Sequence, residues 1–383
     1  MAKEKLQLYV HIPFCIRKCA YCDFLSFPAS RAVRQEYVKA LTRQIRQSEY
    51  RGRSVSSIFF GGGTPSVLEG EEIARLMEEI REGFPLMADA EVTLEANPGT
   101  LDEKKLAHLK EAGINRLSMG LQSADNEELR MLGRIHSFEQ FLENYEAARK
   151  AGFSNINIDL MSALPGQTVE SYRGTLEKVL ALSPEHLSAY SLIIEEGTPF
   201  YEQYGEEDRR REEGNPCRLL PSEEEERQMY YDTEKLLSQR GYARYEISNY
   251  AKRGYECRHN IGYWKREDYL GFGLGAASLM GHERFHMTSG LEAYLGGDFG
   301  KKEIQTLSQA EEMEEFMFLG LRLKEGICIS DFERNFRVRY SKVYGKVTES
   351  LARQGLLESC GDRIRLTGQG MDVSNYVMAQ FLF

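Results

Sequence analysis

The chain has 383 residues, 42% of them hydrophobic, with 59 acidic against 49 basic side chains and a formal net charge of −10. Length and apolar content support a large α/β core plus a smaller domain. The acidic balance excludes a nucleic-acid partner held by a wholly basic surface. Seven cysteines, three of them crowded near the N-terminus, do not make a disulfide framework, so a reducing, cytoplasmic compartment is expected. The longer uncharged runs are too short and Gly-rich to span a bilayer, which leaves peripheral membrane contact as the only membrane association expected.

Strand patterns occupy residues 6–11, 55–60, 91–96, 116–120, 155–160 and 186–192. Between them Tyr37, Val38, Leu41 and Ile45 share one helical face, and residues 138–150 and 171–182 show the same period. Six βα units in succession predict a parallel sheet closing as a partial TIM-like (β/α)6 barrel within residues 1–200. Chemistry in such barrels sits at the C-terminal strand ends. The cysteine loop, the Gly61–Gly63 turn, Glu95, Gln122 and Asp159 all fall there.

Residues 201–303 read as a segment that completes the barrel. It opens with a charged stretch over 203–228, broken by Gly214, Pro216 and Pro221, which reads as a solvated excursion into a helix at 223–240. Residues 304–383 form the third division. Helices are expected at 311–323, 329–336 and 341–354, followed by short strands at 356–358 and 364–366, a winged-helix-like pattern.

Cys15, Cys19 and Cys22 follow an apolar strand with spacing C-x3-C-x2-C. Iron–sulfur clusters are held by Cys thiolates, normally four. Three on one loop leave an iron open to a reactant; the rival is a zinc knot with His11 as fourth ligand. Gly61-Gly62-Gly63-Thr64-Pro65 lets backbone approach a ligand closely, and no Gly-Lys-Ser/Thr follows to make it a phosphate loop of the Walker type. Glu95, Gln122 and Asp159 offer acceptors for sugar hydroxyls, and Arg134 offers a bidentate grip on a carboxylate. On successive strand ends they make a convergent polar pocket.

On these motifs the chain resembles the coproporphyrinogen-III-dehydrogenase-like branch of the radical S-adenosylmethionine (SAM) superfamily, from Tyr9 through the C-terminal domain. The resemblance implies that Cys15, Cys19 and Cys22 ligate a 4Fe–4S cluster whose open iron is chelated by SAM. It further implies that Tyr9, Gly62, Gly63, Thr64, Glu95, Gln122, Arg134 and Asp159 line the SAM site. The radical chemistry belongs to the cofactors, one electron from the cluster cleaving SAM, and needs an external electron donor.

Two features divide the branch. The dehydrogenases carry a further cysteine two positions after the third, where this chain has Phe24. His259-Asn260-Ile-Gly-Tyr263-Trp264 matches the H-N-x-x-Y-W signature of the HemW-type heme chaperones. An imidazole is a common axial ligand of heme iron, so the resemblance implies heme bound by His259, Asn260, Tyr263 and Trp264, with His259 on the iron; Cys257, two residues before His259, is placed to touch the same heme. The expected function is heme binding and transfer to an acceptor hemoprotein. The rival is oxygen-independent coproporphyrinogen III dehydrogenation, in which propionate side chains become vinyl groups.

Overall fold

A computed structural model of the chain describes residues 5–383. Six parallel strands lie side by side in chain order: β1 (Leu6–Ile12), β2 (Val55–Gly62), β3 (Leu86–Ala96), β4 (Arg116–Gln122), β5 (Ile156–Ser162) and β6 (His186–Ser191). All seven residues of β4 are buried, and β1 is buried but for Tyr9. That is the signature of strands covered on both faces. The outer cover is α1 (Arg31–Gln47), α2 (Gly70–Gly83), α3 (Glu103–Glu111), α4 (Asn126–Met131), α5 (Phe138–Lys150) and α6 (Val169–Ala181). Each helix starts where a side chain can take up its free N–H groups. Ser137 and Gln140 make a reciprocal capping box on α5, and Asp125 accepts from two amides of α4.

Residues beyond 200 add strands to both ends of this sheet. On one side β7 (Ala243–Arg244) and β8 (Asn249–Ala251) follow β6, with β8 antiparallel to it. On the other, β9 (Tyr269–Phe272) runs parallel to β1, and β10 (Ala277–Met280), β11 (Glu283–His286) and β12 (Lys302–Thr306) continue antiparallel. The result is a twelve-stranded sheet, open between β12 and β7, around an extended apolar core. β12 crosses the 303/304 boundary expected from the sequence.

The charged stretch is helical in its first part as well as at the helix expected near its end. Its first part is α7 (Pro199–Glu212), capped by Thr198, with Pro199 in its first turn. Pairs at i,i+3 (Arg209 with Glu206, Arg211 with Asp208) let so polar a helix persist. After a loop, α8 (Glu223–Gln239) begins at the Ser222–Glu225 capping box. Two shorter helices follow, α9 (Arg258–Trp264) and α10 (Leu291–Leu295).

The last module has its own core and a three-stranded sheet. α11 (Gln309–Gly320), β13 (Ile327–Cys328), α12 (Ile329–Phe336), α13 (Tyr340–Val343), α14 (Gly345–Arg353), β14 (Leu357–Cys360) and β15 (Arg363–Leu366) follow one another, and β15 lies between β13 and β14. This is the winged-helix order. Phe332 packs edge-on against Phe316, Tyr340 and Tyr344 at its centre. The helix expected over 341–354 is divided at Tyr344, whose φ of −114° and ψ of 0° end α13 and begin α14. Among the described residues no helix is long and apolar enough to cross a membrane.

Candidate functional site

The cysteine loop leaves β1 and is pinned by backbone hydrogen bonds rather than by its own side chains. Cys15 N–H donates to the Phe27 carbonyl at 3.1 Å, Phe27 N–H to Pro13 at 2.9 Å, and Ala20 N–H to Leu132 at 3.1 Å. The glycine turn lies against it: Gly63 N–H donates to Ile12 and Thr64 N–H to Phe14, at 2.9 and 2.8 Å. Gly62 has φ of +111°, and a Cβ there would come within 2.4 Å of the His11 ring. A Cβ on Gly63 would meet the Phe14 carbonyl at 2.8 Å. Only glycine lets the turn nest under the loop.

Loop and strand ends enclose one pocket. Cys15, Cys19, Cys22, Gly62, Gly63, Thr64, Glu95, Gln122, Arg134 and Asp159, all named from the sequence, line it. Tyr9 does not reach its wall. It lies one layer deeper, its hydroxyl 2.9 Å from His11 Nδ1, and His11 Nε2 is 3.0 Å from the Leu25 carbonyl. Both nitrogens of His11 are therefore committed, which removes it as a zinc ligand. Tyr21, Asn97, Ser118 and Tyr190 also line the pocket. Of these Tyr190, at the end of β6, obeys the strand-end rule that picked out the others, whereas Tyr21 carries no signal beyond its place between two cysteines.

A polar chain runs behind the thiols. Arg134 sends one Nη2 hydrogen to Asn97 Oδ1 at 2.7 Å and Nη1 towards Cys19 Sγ at 3.7 Å. Asn97 Nδ2 donates to Thr64 Oγ1 at 2.8 Å, and Thr64 Oγ1 points to Cys15 Sγ at 3.5 Å. Donors thus face two of the three sulfurs, the arrangement that stabilises thiolates and the sulfurs of a cluster. Burial pushes the Cys22 thiol up from its ordinary range, so it ionises best when a metal takes the proton's place.

The carboxylates are tuned by depth. Glu95 accepts the Gly62 N–H at 3.1 Å, and burial, with Asp159 nearby, pushes its carboxyl up to about 8. Asp159 is raised by burial, against hydrogen bonds from Asn157 at 2.7 Å and Ser118 at 3.3 Å. Gln122 holds φ of +69° at a bulge in β4, a costly conformation for a non-glycine residue. Its Oε1, like Arg134 Nε, is buried without a partner. Orphaned donors and acceptors around three free thiols fit a 4Fe–4S cluster with a polar ligand such as SAM beside it. Held there, the cluster supplies one-electron reduction; the protein binds, orients and excludes water.

The H-N-x-x-Y-W run lies elsewhere. It forms α9, which closes the opposite end of the barrel against the early halves of β1 to β3. Glu91 accepts the backbone N–H groups of Arg258 and His259, each at 3.1 Å. His259 is buried, with Nδ1 2.8 Å from Ser57 Oγ and Nε2 3.0 Å from Tyr263 Oη, and its ring stacks on Phe59. Burial, with Arg116 close by, drops its pKa to about 3. Both ring nitrogens of His259, the residue expected on the heme iron, have partners inside the protein, so iron ligation would require one of them to be released. Cys257 is buried, its thiol 3.5 Å from Glu91 Oε1. Of the four motif residues, Trp264 lines a cavity shared with the C-terminal module.

Comparison with known proteins fits this architecture. Residues 9–179 match the radical SAM superfamily and residues 307–373 the HemN C-terminal domain. The chain is similar to coproporphyrinogen III oxidase (HemN) from Escherichia coli, a solved structure, with TM-score 0.83 and 27% identity over 99% of this chain and 90% of that one. Fold and site together define a radical SAM protein, with the 4Fe–4S cluster and SAM that this superfamily implies.

Its particular family follows from full-length relatives. The heme chaperone HemW of Lactococcus lactis is 37% identical over 100% of this chain and 98% of its own, and that of Bacillus subtilis 36% over 98% of each. The heme chaperone HemW of Escherichia coli is 34% identical, again over 98% of both. The chain belongs to the HemW family.

Proposed function

We propose that this chain binds heme and delivers it to an acceptor hemoprotein, with a 4Fe–4S cluster and SAM resident at the barrel mouth and an external donor reducing the cluster. The observation that carries this reading is end-to-end similarity to proteins named heme chaperones. Phe24, 63% exposed beside the cysteine loop, supports it, because it stands where the dehydrogenases resembled by this chain carry another thiol. The cytoplasm is the compartment proposed, in keeping with seven free cysteines.

The rival activity, coproporphyrinogen dehydrogenation, draws on the HemN-like fold, and fold alone does not fix function. Anaerobically reconstituted protein titrated with hemin is expected to develop a shifted Soret band and to lose it to an apo-hemoprotein. Turnover of coproporphyrinogen III by the same preparation, without stable hemin uptake, would establish the rival instead.

A further inference from the structure

The barrel floor and the C-terminal module meet at a seam that encloses a cavity of about 180 Å³. Its apolar walls come from both sides: Trp264 from α9, with Phe316, Leu323 and Ile327 from the module. Trp264 is the chain's single tryptophan, and its indole N–H is buried without an acceptor. Three cations stand at the cavity's rim, Lys265, Arg334 and Arg363. Their present partners are exposed carboxylates: Glu325 for Lys265 and Arg363, at 3.1 and 3.3 Å, and Asp331 for Arg334. Such surface pairs hold little net energy and exchange readily for another carboxylate.

The contacts across the seam are largely ionic. Arg266, on the barrel side, pairs with Glu312 and Glu315 of α11 at 2.7 Å each. Arg322 of the module lies 4.3 Å over the Trp264 ring. Beyond the ion pairs, Ile247 from the barrel side packs on the module's core and Lys324 N–H donates to the Tyr245 carbonyl at 2.9 Å; a seam held mainly by ion pairs permits relative motion of its two sides. The cavity as it stands is below the roughly 300–1,000 Å³ of a small-molecule site, so an occupant of porphyrin size must part the seam.

We propose that this seam is the heme-receiving site: the macrocycle lies between Trp264 and the C-terminal module, and its carboxylates replace Glu325 and Asp331 on Lys265, Arg334 and Arg363. The proposal rests on the heme-carrying reading above and locates its cargo. A flat indole flanked by Phe316, Leu323 and Ile327, an unmatched indole donor and clustered exchangeable cations are the complement of a planar ring with carboxylate side chains. The seam also gives the motif on α9 a use that does not require His259 to leave Ser57 and Tyr263.

Cys328 lines the same cavity, whereas Cys217 lies far off on the charged stretch after α7. The full-length, cluster-loaded protein is titrated anaerobically with hemin, and cysteine alkylation is followed by peptide mass spectrometry. Hemin is expected to slow alkylation of Cys328 in proportion to the amount bound and to leave Cys217 unchanged. The double variant Arg334→Ala/Arg363→Ala, at positions outside the buried core, is expected to bind hemin about tenfold more weakly. Ile193→Ser, 69% exposed just after β6 at the barrel's other end, leaves affinity unchanged. Stoichiometric hemin binding with Cys328 alkylated at its free rate and the double variant unaffected overturns the seam while leaving the heme carrier intact. Failure to bind hemin at all overturns the carrier reading, and the seam with it.

Discussion

Glu95 lines the pocket with the Gly62 N–H as its hydrogen-bond donor, and its carboxyl is held up to about 8 by burial and by Asp159. A carboxyl whose folded-state pKa is raised stabilises the fold below its ordinary pKa, and that contribution is lost as pH rises towards the folded value. The cluster-free protein should therefore lose stability between about pH 5 and 8, with a slope of up to about 1.4 kcal/mol per pH unit from this group. Urea midpoints across that range should flatten in Glu95→Gln; an unchanged slope would show that Glu95 is not the group responsible. Gly62→Ala is a harsher change, because positive φ and the His11 ring both oppose a Cβ. We expect a loss of about 2–4 kcal/mol by denaturant unfolding. Cys19→Ala tests the other side of the pocket. It removes the thiol facing Arg134 and should abolish the brown cluster absorbance after anaerobic reconstitution, while Cys217→Ala keeps it in full.

At the scale of elements, α9 separates what the residues spell from where the fold puts them. The strand ends were legible because alternation of apolar runs with amphipathic helices fixes a parallel barrel, and a barrel fixes which strand ends converge. Nothing comparable tells a seven-residue helix which end of the barrel it will close. Its placement depends on Glu91, in register with Ser57 across β3 and β2, meeting the first N–H groups of α9. The same limit hid α7, whose charges read as solvent-loving until their i,i+3 pairing and the Thr198 cap are seen in three dimensions. For His259 we propose a structural role. His259→Ala strands the Ser57 and Tyr263 hydroxyls and opens a void under Phe59, at a cost of about 2–4 kcal/mol. Hemin affinity measured well below the new unfolding midpoint should stay within about twofold of the parent, since a lost axial ligand would instead cost the 1.4 kcal/mol or more of a tenfold change. A tenfold drop in a folded variant would restore His259 to the iron.

The whole molecule is a barrel, with its main core and a smaller apolar cluster around Leu132 and Phe200, joined largely by charge to a C-terminal module with a core of its own. Residues 6–306 share one sheet, and residues 313–381 supply most of a second cluster that includes Met317, Phe332 and Phe381. The thiols, the glycine turn, Arg134 and every strand end that lines the cluster pocket belong to the first. Cutting after Thr306 removes α11 and with it Glu312 and Glu315, leaving Arg266 and Trp264 facing solvent. Those contacts stabilise the barrel floor, far from the pocket, so a fragment of residues 1–306 should fold, melt several degrees lower and still take up the cluster at close to the full-length iron content. It should also lose hemin affinity, because one wall of the seam and two of its three cations are gone. Iron and sulfide analysis beside a hemin titration separates the two functions. A fragment that binds hemin as tightly as the intact chain would put the heme site on the barrel alone, and one that cannot hold the cluster would mean that the cores are not independent.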